Sequence, residues 1–381
     1  MKLRIGILGT RGIPNNYGGF EQISAYLAQG LVQRGHEVTV YNGHKHPYQL
    51  TTWRGINIVH CHNPEHWMGM SGQFVYDLNC ILDARKRSFD AILIMGYTSS
   101  SVWGKLYPRD SVIISNMDGL EWMRTKYSKP VQRFLQFAEK LAVKFSDNYI
   151  ADSLAIQKYL RDKYDISPAY IPYAAEIMPF TDDRICNEFR LIKHNYMLLI
   201  ARMEPENNID TILSGFTKSS TSQHMVVVGD TANKHGRHLV NIFRNDKRIL
   251  FAGPVFDTQK LHSLRSFSSL YFHGHSVGGT NPSLLEAMAS KVYVVAHDNA
   301  FNRQILEKDA SYFNTALDIK KIIEEDIPAV KKETAIEDNF NKIIHRYNWD
   351  RIVAKYEQFI LSCCNSATVE EHIYHPGYIG K

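Results

Sequence analysis

Two doubly wound α/β domains, each a parallel sheet sheathed by helices, are the fold class this sequence predicts. Three observations predict it. The chain has 381 residues, an ordinary length for two domains. Its short apolar runs are continuous rather than alternating, as in strands buried on both faces. Those runs fall into two series separated by a polar, irregular stretch. At 44% hydrophobic and 22% charged residues, the chain can bury a sizeable core and lacks the composition of a disordered protein.

The first series of strands is Leu3 to Leu8, Val38 to Tyr41, Ile56 to Cys61, Ala91 to Met95, Val112 to Ser115, Tyr149 to Ala151 and Tyr170 to Ile171. Between the first two, Phe20, Ile23, Leu27 and Leu31 recur at helical spacing, and Gly35 closes the helix. Residues 1–172 are therefore expected to form the first Rossmann-like domain, and 173–194, with Pro179 and the pair Asp182 and Asp183, a linker. The second domain, 195–345, carries Tyr196 to Ile200, Met225 to Val228, Ile249 to Ala252, Leu270 to His273 and Val292 to Ala296. A helical stretch from Ile343 to Ile360 follows. Its segment 346–361 is expected to pack back on the first domain, with 362–381 as a tail without period. Sheets of this kind bind ligands beyond the carboxyl ends of their strands, so the two domains are expected to face a cleft lined by those loops.

No apolar run reaches the roughly 18–20 residues that span a bilayer, and the N-terminus has no signal-peptide stretch, so a cytoplasmic protein is expected. Cys61, Cys80, Cys186, Cys363 and Cys364 are irregularly spaced without a CxxC pair, which excludes a disulfide framework and a zinc ribbon. The net charge of +5 is too small to point to nucleic acid, but residues 1–171 alone hold 20 Lys and Arg against 14 Asp and Glu. Arg85, Lys86, Arg87, Lys105, Arg109, Arg124, Lys126, Lys129 and Arg133, near Trp103 and Trp122, contain most of that excess. They read either as a solvated face or as a patch for anionic headgroups, which would give peripheral contact with a membrane surface.

Three strand-end loops carry the chemistry. After the first strand, Gly9-Thr10-Arg11-Gly12-Ile13-Pro14 leads to Tyr17-Gly18-Gly19-Phe20-Glu21. Its glycines miss the dinucleotide fingerprint, and the second strand ends in Tyr41-Asn42 with no acidic ribose ligand. Gly18 and Gly19, before a helix, offer close approach to phosphate. In the second half, Gly278-Gly279-Thr280-Asn281-Pro282-Ser283 opens a helix, with Asn281 as its cap and Pro282 at its first position. Amides at 280, 281 and 283 make an anion site, and Glu286, one turn on, leans toward the N-terminus where a ribose hydroxyl would lie. Arg202, after the strand ending at Ile200, supplies a permanent charge for a leaving diphosphate.

Asp118 and Glu121, in the loop Asn116-Met117-Asp118-Gly119-Leu120-Glu121-Trp122-Met123-Arg124, are candidates to orient the acceptor hydroxyl or the donor. Asp118 reads equally as a capping or turn residue. Trp122 and Arg124 are candidates for the acceptor. His60, Cys61, His62 and His66 satisfy no zinc spacing and read as surface-loop residues, and no D-x-D occurs, so metal-independent chemistry is expected.

The N-terminal loop, Arg202 with Glu206-Asn207-Asn208, and Gly278-Gly279-Thr280-Asn281-Pro282-Ser283-Leu284-Leu285-Glu286-Ala287 together resemble the family 4 retaining glycosyltransferases of the GT-B fold. The similarity runs to about Ile360. Within that family, Gly-Thr-Arg-Gly-Ile-Pro with Tyr-Gly-Gly-Phe-Glu, Asp118-Gly119-Leu120-Glu121-Trp122, and Gly278-Gly279-Thr280-Asn281-Pro282 are similar to bacterial rhamnosyltransferases of capsule and cell-wall polysaccharide assembly. The resemblance implies a nucleotide-sugar donor, dTDP-rhamnose, which is a substrate so that no cofactor is needed, and a lipid-linked saccharide acceptor. It also implies a nucleotide held in the second domain, an acceptor in the first, and transfer without a protein nucleophile, the leaving phosphate taking the proton.

Two departures accompany it. The family commonly has a carboxylate on the donor sugar eight residues before the position of Glu286, where this chain has Gly278, and a Lys five residues after its Arg, where this chain has Asn207. Both weaken a glucose or mannose assignment. A UDP- or GDP-hexose donor is the near alternative; a nucleotide-sugar epimerase or a non-catalytic nucleotide-sugar binding protein is the distant one.

Overall fold

A computed structural model describes residues 1–15, 18–117, 119–124, 126–325 and 327–373. It divides into two compact units. The first comprises Met1–Trp122, Lys129–Pro172 and the chain from Trp349 onward; the second comprises Met123–Ser128 and Tyr173–Asn348.

The first unit is built on an eight-stranded sheet: β1 (Arg4–Leu8), β2 (Glu37–Gly43), β3 (Thr52–Trp53), β4 (Ile56–Cys61), β5 (Ala91–Ile94), β6 (Val112–Asn116), β7 (Asn148–Ala151) and β8 (Ala169–Tyr170). Its spatial order is β3-β4-β2-β1-β5-β6-β7-β8, parallel except for the β3–β4 edge pair. β3 is too short to leave a periodic signal; Arg54 and Gly55, both at positive φ, turn it back on β4. The helix Gly19–Gln33 lays Ile23, Leu27 and Leu31 into the core, as their spacing requires.

The C-terminal segment departs from its expected outline. The stretch from Ile343 to Ile360 is two helices, Ala329–His345 in the second unit and Trp349–Ile373 in the first. Between them, the Tyr347 carbonyl leaves the helical pattern to accept from the Ala175 amide at 2.9 Å. Trp349 then stacks on Tyr26 with ring centroids 4.4 Å apart, and Val353 fills the space over Gly30 of the Gly19 helix. The helix continues to Ile373, so 362–373 is no loose tail. Cys363 on this helix is buried.

The second unit carries a six-stranded, all-parallel sheet: β9 (Tyr196–Ile200), β10 (His224–Val228), β11 (Ile249–Gly253), β12 (Leu270–His273), β13 (Val294–His297) and β14 (Ser311–Phe313), in the order β11-β10-β9-β12-β13-β14. Because β9 sits between β10 and β12, the chain reverses direction of growth there, and the loops after β9 and β12 are neighbours. Met197, Leu199, Val227, Phe272 and Val295 from the strands pack with Ile212 and Phe216 from the helix Ile209–Thr217. Each such side chain, fully buried, contributes about 1.5–3 kcal/mol. The stretch expected to be a linker belongs to this unit from Tyr173 on and includes a short helix, Arg184–Glu188, with Ile185 and Cys186 buried. Among the described residues, no helix is long and apolar enough to cross a membrane.

Candidate active site

In the second unit, three loops at the carboxyl edge of the sheet are laced together. The loop after β9 is held by its own bonds, the Arg202 carbonyl accepting from the Glu204 amide at 2.7 Å and from Asn207 Nδ2 at 2.7 Å. The loop after β12 joins it: Ser276 donates its amide at 3.0 Å and its hydroxyl at 2.8 Å to the Glu206 carbonyl, and Asn208 Nδ2 donates to Gly274 O at 2.8 Å. Gly274 is demanded by this approach, since a Cβ there would lie 1.9 Å from Asn207 O. After β13, Asn299 and Asn302, the cap and the first turn of the helix Ala300–Leu306, each donate to the His275 carbonyl at 3.0 Å.

Arg202 is exposed, and its guanidinium pairs with no carboxylate among the described residues. Asn281 caps the helix Pro282–Ala289, its Oδ1 accepting from the Ser283 amide at 2.9 Å, with Pro282 in the first turn. That bond corrects the reading of Ser283. Its amide is already occupied, and its hydroxyl joins Tyr271 OH at 2.7 Å and Arg265 at 3.2 Å, so Ser283 supports the site instead of offering an amide to a phosphate. Gly278, Gly279 and Thr280 line the approach to the helix start, all buried.

Glu286 is not an isolated carboxylate. Its Oε2 accepts from Arg265 at 2.6 Å, with the arginine side chain 4% exposed and the glutamate 30%. Sequence reading missed Arg265 because it comes from another helix, Thr258–Ser266, and nothing in its local spacing points at Glu286. Arg124 is also placed differently from expectation. The segment Met123–Ser128 folds with the second unit, where Arg124 Nη1 lies 3.4 Å from the buried Glu206 and Lys126 lies 3.6 Å from Glu204. These two cations are therefore compensated and are not part of an open basic patch. Glu206 Oε2, buried, has no hydrogen-bond partner among the described residues.

Histidines fill the floor. His273, fully enclosed near Arg265 and His297, is pushed down to about 3 by loss of solvent, and its Nε2 has no partner among the described residues. His275 is held well below the usual range by burial, then by His273, Arg124 and Arg202. A neutral buried histidine must charge when the chain unfolds in acid. With an unfolded value of about 6.5, its contribution is complete above that pH and is lost progressively as pH falls toward 3. For His273 alone the loss at pH 5 is about 2 kcal/mol. Urea unfolding at pH 7.5 and 5.0 should therefore show wild type losing about 2 kcal/mol more than His273→Phe. Equal losses would mean that His273 is not buried neutral.

In the first unit, the glycine-rich loop after β1 lies beside the end of β2. Asn42, at the end of β2, grips the glycine-rich loop by accepting from Ile13 N at 2.9 Å and donating to Ile13 O at 2.7 Å. Arg11 is held by Glu65 at 2.6 Å and gives its amide to Glu21 Oε1 at 2.9 Å. Gly18 caps and Gly19 begins the helix Gly19–Gln33, with the Gly18 amide on Asn15 Oδ1 at 3.2 Å. Asp77 was not foreseen. Buried beside Ser99 and Gln73, it is pushed up to about 7 by burial, and its one sequence signal is a carboxylate within the apolar helix Gly72–Ala84.

The loop after β6 divides. Asp118 lies outside the described residues, and Glu121 begins a single turn, Glu121–Met123, in which Glu121 and Trp122 are half-buried and Met123 is exposed. Trp122 donates its indole N–H to Glu139 at 3.1 Å and lies against Tyr159, so it anchors the loop instead of presenting an open face to an acceptor. Glu139 also accepts from Tyr159 OH at 2.8 Å, Lys163 at 2.9 Å and Tyr164 OH at 2.6 Å. His60 and Cys61 belong to β4 and not to a surface loop, with His60 Nε2 3.0 Å from Tyr48 O.

Comparison with known proteins bears on both units. A domain of unknown function, DUF1972, matches residues 2–176, and the family described as glycosyl transferases group 1 matches residues 187–325. Curated proteins gave no match. Among solved structures, the sucrose-phosphate synthase of Thermosynechococcus elongatus is similar with a TM-score of 0.79 at 15% identity, over 96% of this chain and 100% of that one. HepE of Anabaena, solved with UDP-glucose, has a TM-score of 0.72 at 14% identity, over 94% and 99%. The trehalose 6-phosphate synthase of Burkholderia multivorans has a TM-score of 0.70 at 12% identity, over 100% of both chains. At such identities these structures speak for the architecture, and the group 1 match speaks for the second unit. Two parallel-sheet α/β units of that architecture give the chain the GT-B fold, and residues 187–325, in its second unit, match the glycosyl transferases group 1 family.

Proposed function

We propose that this protein transfers L-rhamnose, with retention, from dTDP-rhamnose to a lipid-linked saccharide in bacterial surface-polysaccharide synthesis. The observation that carries the donor site is the convergence of three strand-end loops beside the helix that begins at Pro282, with Arg202 open and Glu286 held by Arg265. A carboxylate with one oxygen committed to a buried guanidinium keeps its other oxygen for a single ribose hydroxyl, which suits a thymidine nucleotide, where only the 3′-hydroxyl is present. Arg202 meets the charge that develops on the departing diphosphate. The acceptor hydroxyl then enters the face the diphosphate leaves, and the leaving phosphate oxygen takes its proton, so the reaction asks for no nucleophile from the chain.

The rhamnose assignment rests on the resemblance of the N-terminal loop, of residues 118–122 and of residues 278–282. The lipid-linked acceptor and a peripheral membrane position are supported by the helix Lys129–Phe145, which exposes Val131, Phe134 and Phe137 among the exposed Lys129, Arg133, Lys140 and Lys144. A UDP-hexose donor is the second reading, favoured by the likeness to HepE, a protein solved with UDP and with UDP-glucose.

Thermal stabilisation by dTDP-rhamnose, UDP-glucose, UDP-GlcNAc and GDP-mannose tests the proposal. A ligand at about 100 times its dissociation constant adds about 2.7 kcal/mol. The expected result is a shift with dTDP-rhamnose alone. A shift confined to a uridine or guanosine sugar would replace rhamnose with that donor, and turnover of the free nucleotide sugar without acceptor would point to an epimerase.

A further inference from the structure

Asn207 and His275 form a pair whose hydrogens can be assigned from the bonds around them. Asn207 Nδ2 donates to the Arg202 carbonyl at 2.7 Å, which fixes which end of the amide is nitrogen. Its Oδ1 therefore faces His275 Nδ1 at 3.0 Å. An oxygen there only accepts, so the ring proton sits on Nδ1 and Nε2 carries a lone pair. Asn299 and Asn302 anchor the His275 carbonyl, so backbone and ring are both held.

The far side of the ring faces Gly278. A Cβ at that position would lie 2.9 Å from Nε2, and Gly278 has φ +132°, a conformation that side chains rarely adopt. Nε2 has no hydrogen-bond partner among the described residues, and His275 is only half-buried. The pair also explains why positions 207 and 278 depart together from the resembled pattern. A lysine at 207 brings only donors and could not receive the Nδ1 proton, and a side chain at 278 would collide with the ring.

We propose that Nε2 of His275 accepts a hydrogen bond from a hydroxyl of the donor's sugar, and that Asn207 is the positioning residue that keeps it an acceptor. The inference rests on the nucleotide-sugar reading above and adds to it the group that reads the sugar. A neutral lone pair repels phosphate oxygen and attracts an O–H, so His275 serves the sugar and not the diphosphate. Burial and the neighbouring Arg124, Arg202 and His273 keep the ring uncharged.

Two measurements test it. In calorimetric titrations of wild type, His275→Phe and Asn207→Leu with dTDP, dTDP-rhamnose, UDP and UDP-glucose, His275→Phe should weaken the nucleotide sugar about five- to tenfold while binding the free nucleotide as wild type does. Asn207→Leu should show a smaller loss of the same kind. Equal losses for nucleotide and nucleotide sugar, or none for either, would overturn the assignment. Failure of wild type to bind any of the four would instead remove the nucleotide-sugar reading, and this inference with it. The imidazole nitrogen shifts of His275 in the wild-type protein decide the tautomer without any variant. A protonated Nδ1 is expected, becoming a tautomer mixture in Asn207→Leu, and a protonated Nε2 in wild type would overturn the proposal.

Discussion

Replacing Arg202 with Met should slow sugar transfer at saturating donor by about 10²–10³-fold, the scale expected for removing one preorganised charge from a developing anion. Stability should change by no more than about 0.5 kcal/mol. The two expectations follow from the same geometry. The guanidinium is exposed and compensates no carboxylate, so folding loses nothing with it. Its backbone, in contrast, is tied down through the carbonyl by Glu204 N and Asn207 Nδ2, so the charge is projected from a fixed point. Arg202→Lys should recover only part of the rate, because an ammonium cannot bridge two phosphate oxygens as a planar fork does. Initial rates and melting curves on the same preparations check this. A rate within threefold of wild type would take Arg202 out of the reaction.

The strands and their grouping were legible because a parallel sheet buried on both faces writes itself as uninterrupted apolar runs, and a helix start writes itself as Asn281-Pro282. What escaped were features whose cause is elsewhere in the chain. The two-residue β3 exists because Arg54 and Gly55 turn it onto β4, not through any pattern of its own. No glycine or proline marks the break near Asn348 between the two helices, so the local sequence reads them as one.

The site divides in the same way. Arg202 and Glu286 stood out as charges at strand and helix ends, where local sequence fixes position. Arg265, Glu206, Asn207 and His275 were invisible as partners, because the Arg265–Glu286 and Asn207–His275 pairs join segments 21 and 68 residues apart. Trp122 and Arg124 misled for a related reason. Their loop follows β6 in the chain, but Trp122 is claimed by Glu139 and Arg124 by Glu206, acids that belong to different units.

Glu286→Ala should lower stability by about 3–5 kcal/mol besides abolishing donor binding, because it strands the Arg265 guanidinium, 4% exposed, without its carboxylate. The converse variant, Arg265→Met, should cost less, since Glu286 is 30% exposed and water can take over its oxygen. The loss in Glu286→Ala by itself therefore cannot distinguish a ribose ligand from a structural ion pair. The double variant can. Arg265→Met with Glu286→Ala removes both charges, so most of the stability lost in Glu286→Ala should return, with a coupling of about 2 kcal/mol or more in the cycle of single and double variants. Donor affinity should not return with it, because the ribose hydroxyl still lacks its carboxylate. If the double variant recovered both, the pair would only hold the helix Thr258–Ser266 against Pro282–Ala289, and the nucleotide would have to find its ribose partner elsewhere in the second unit.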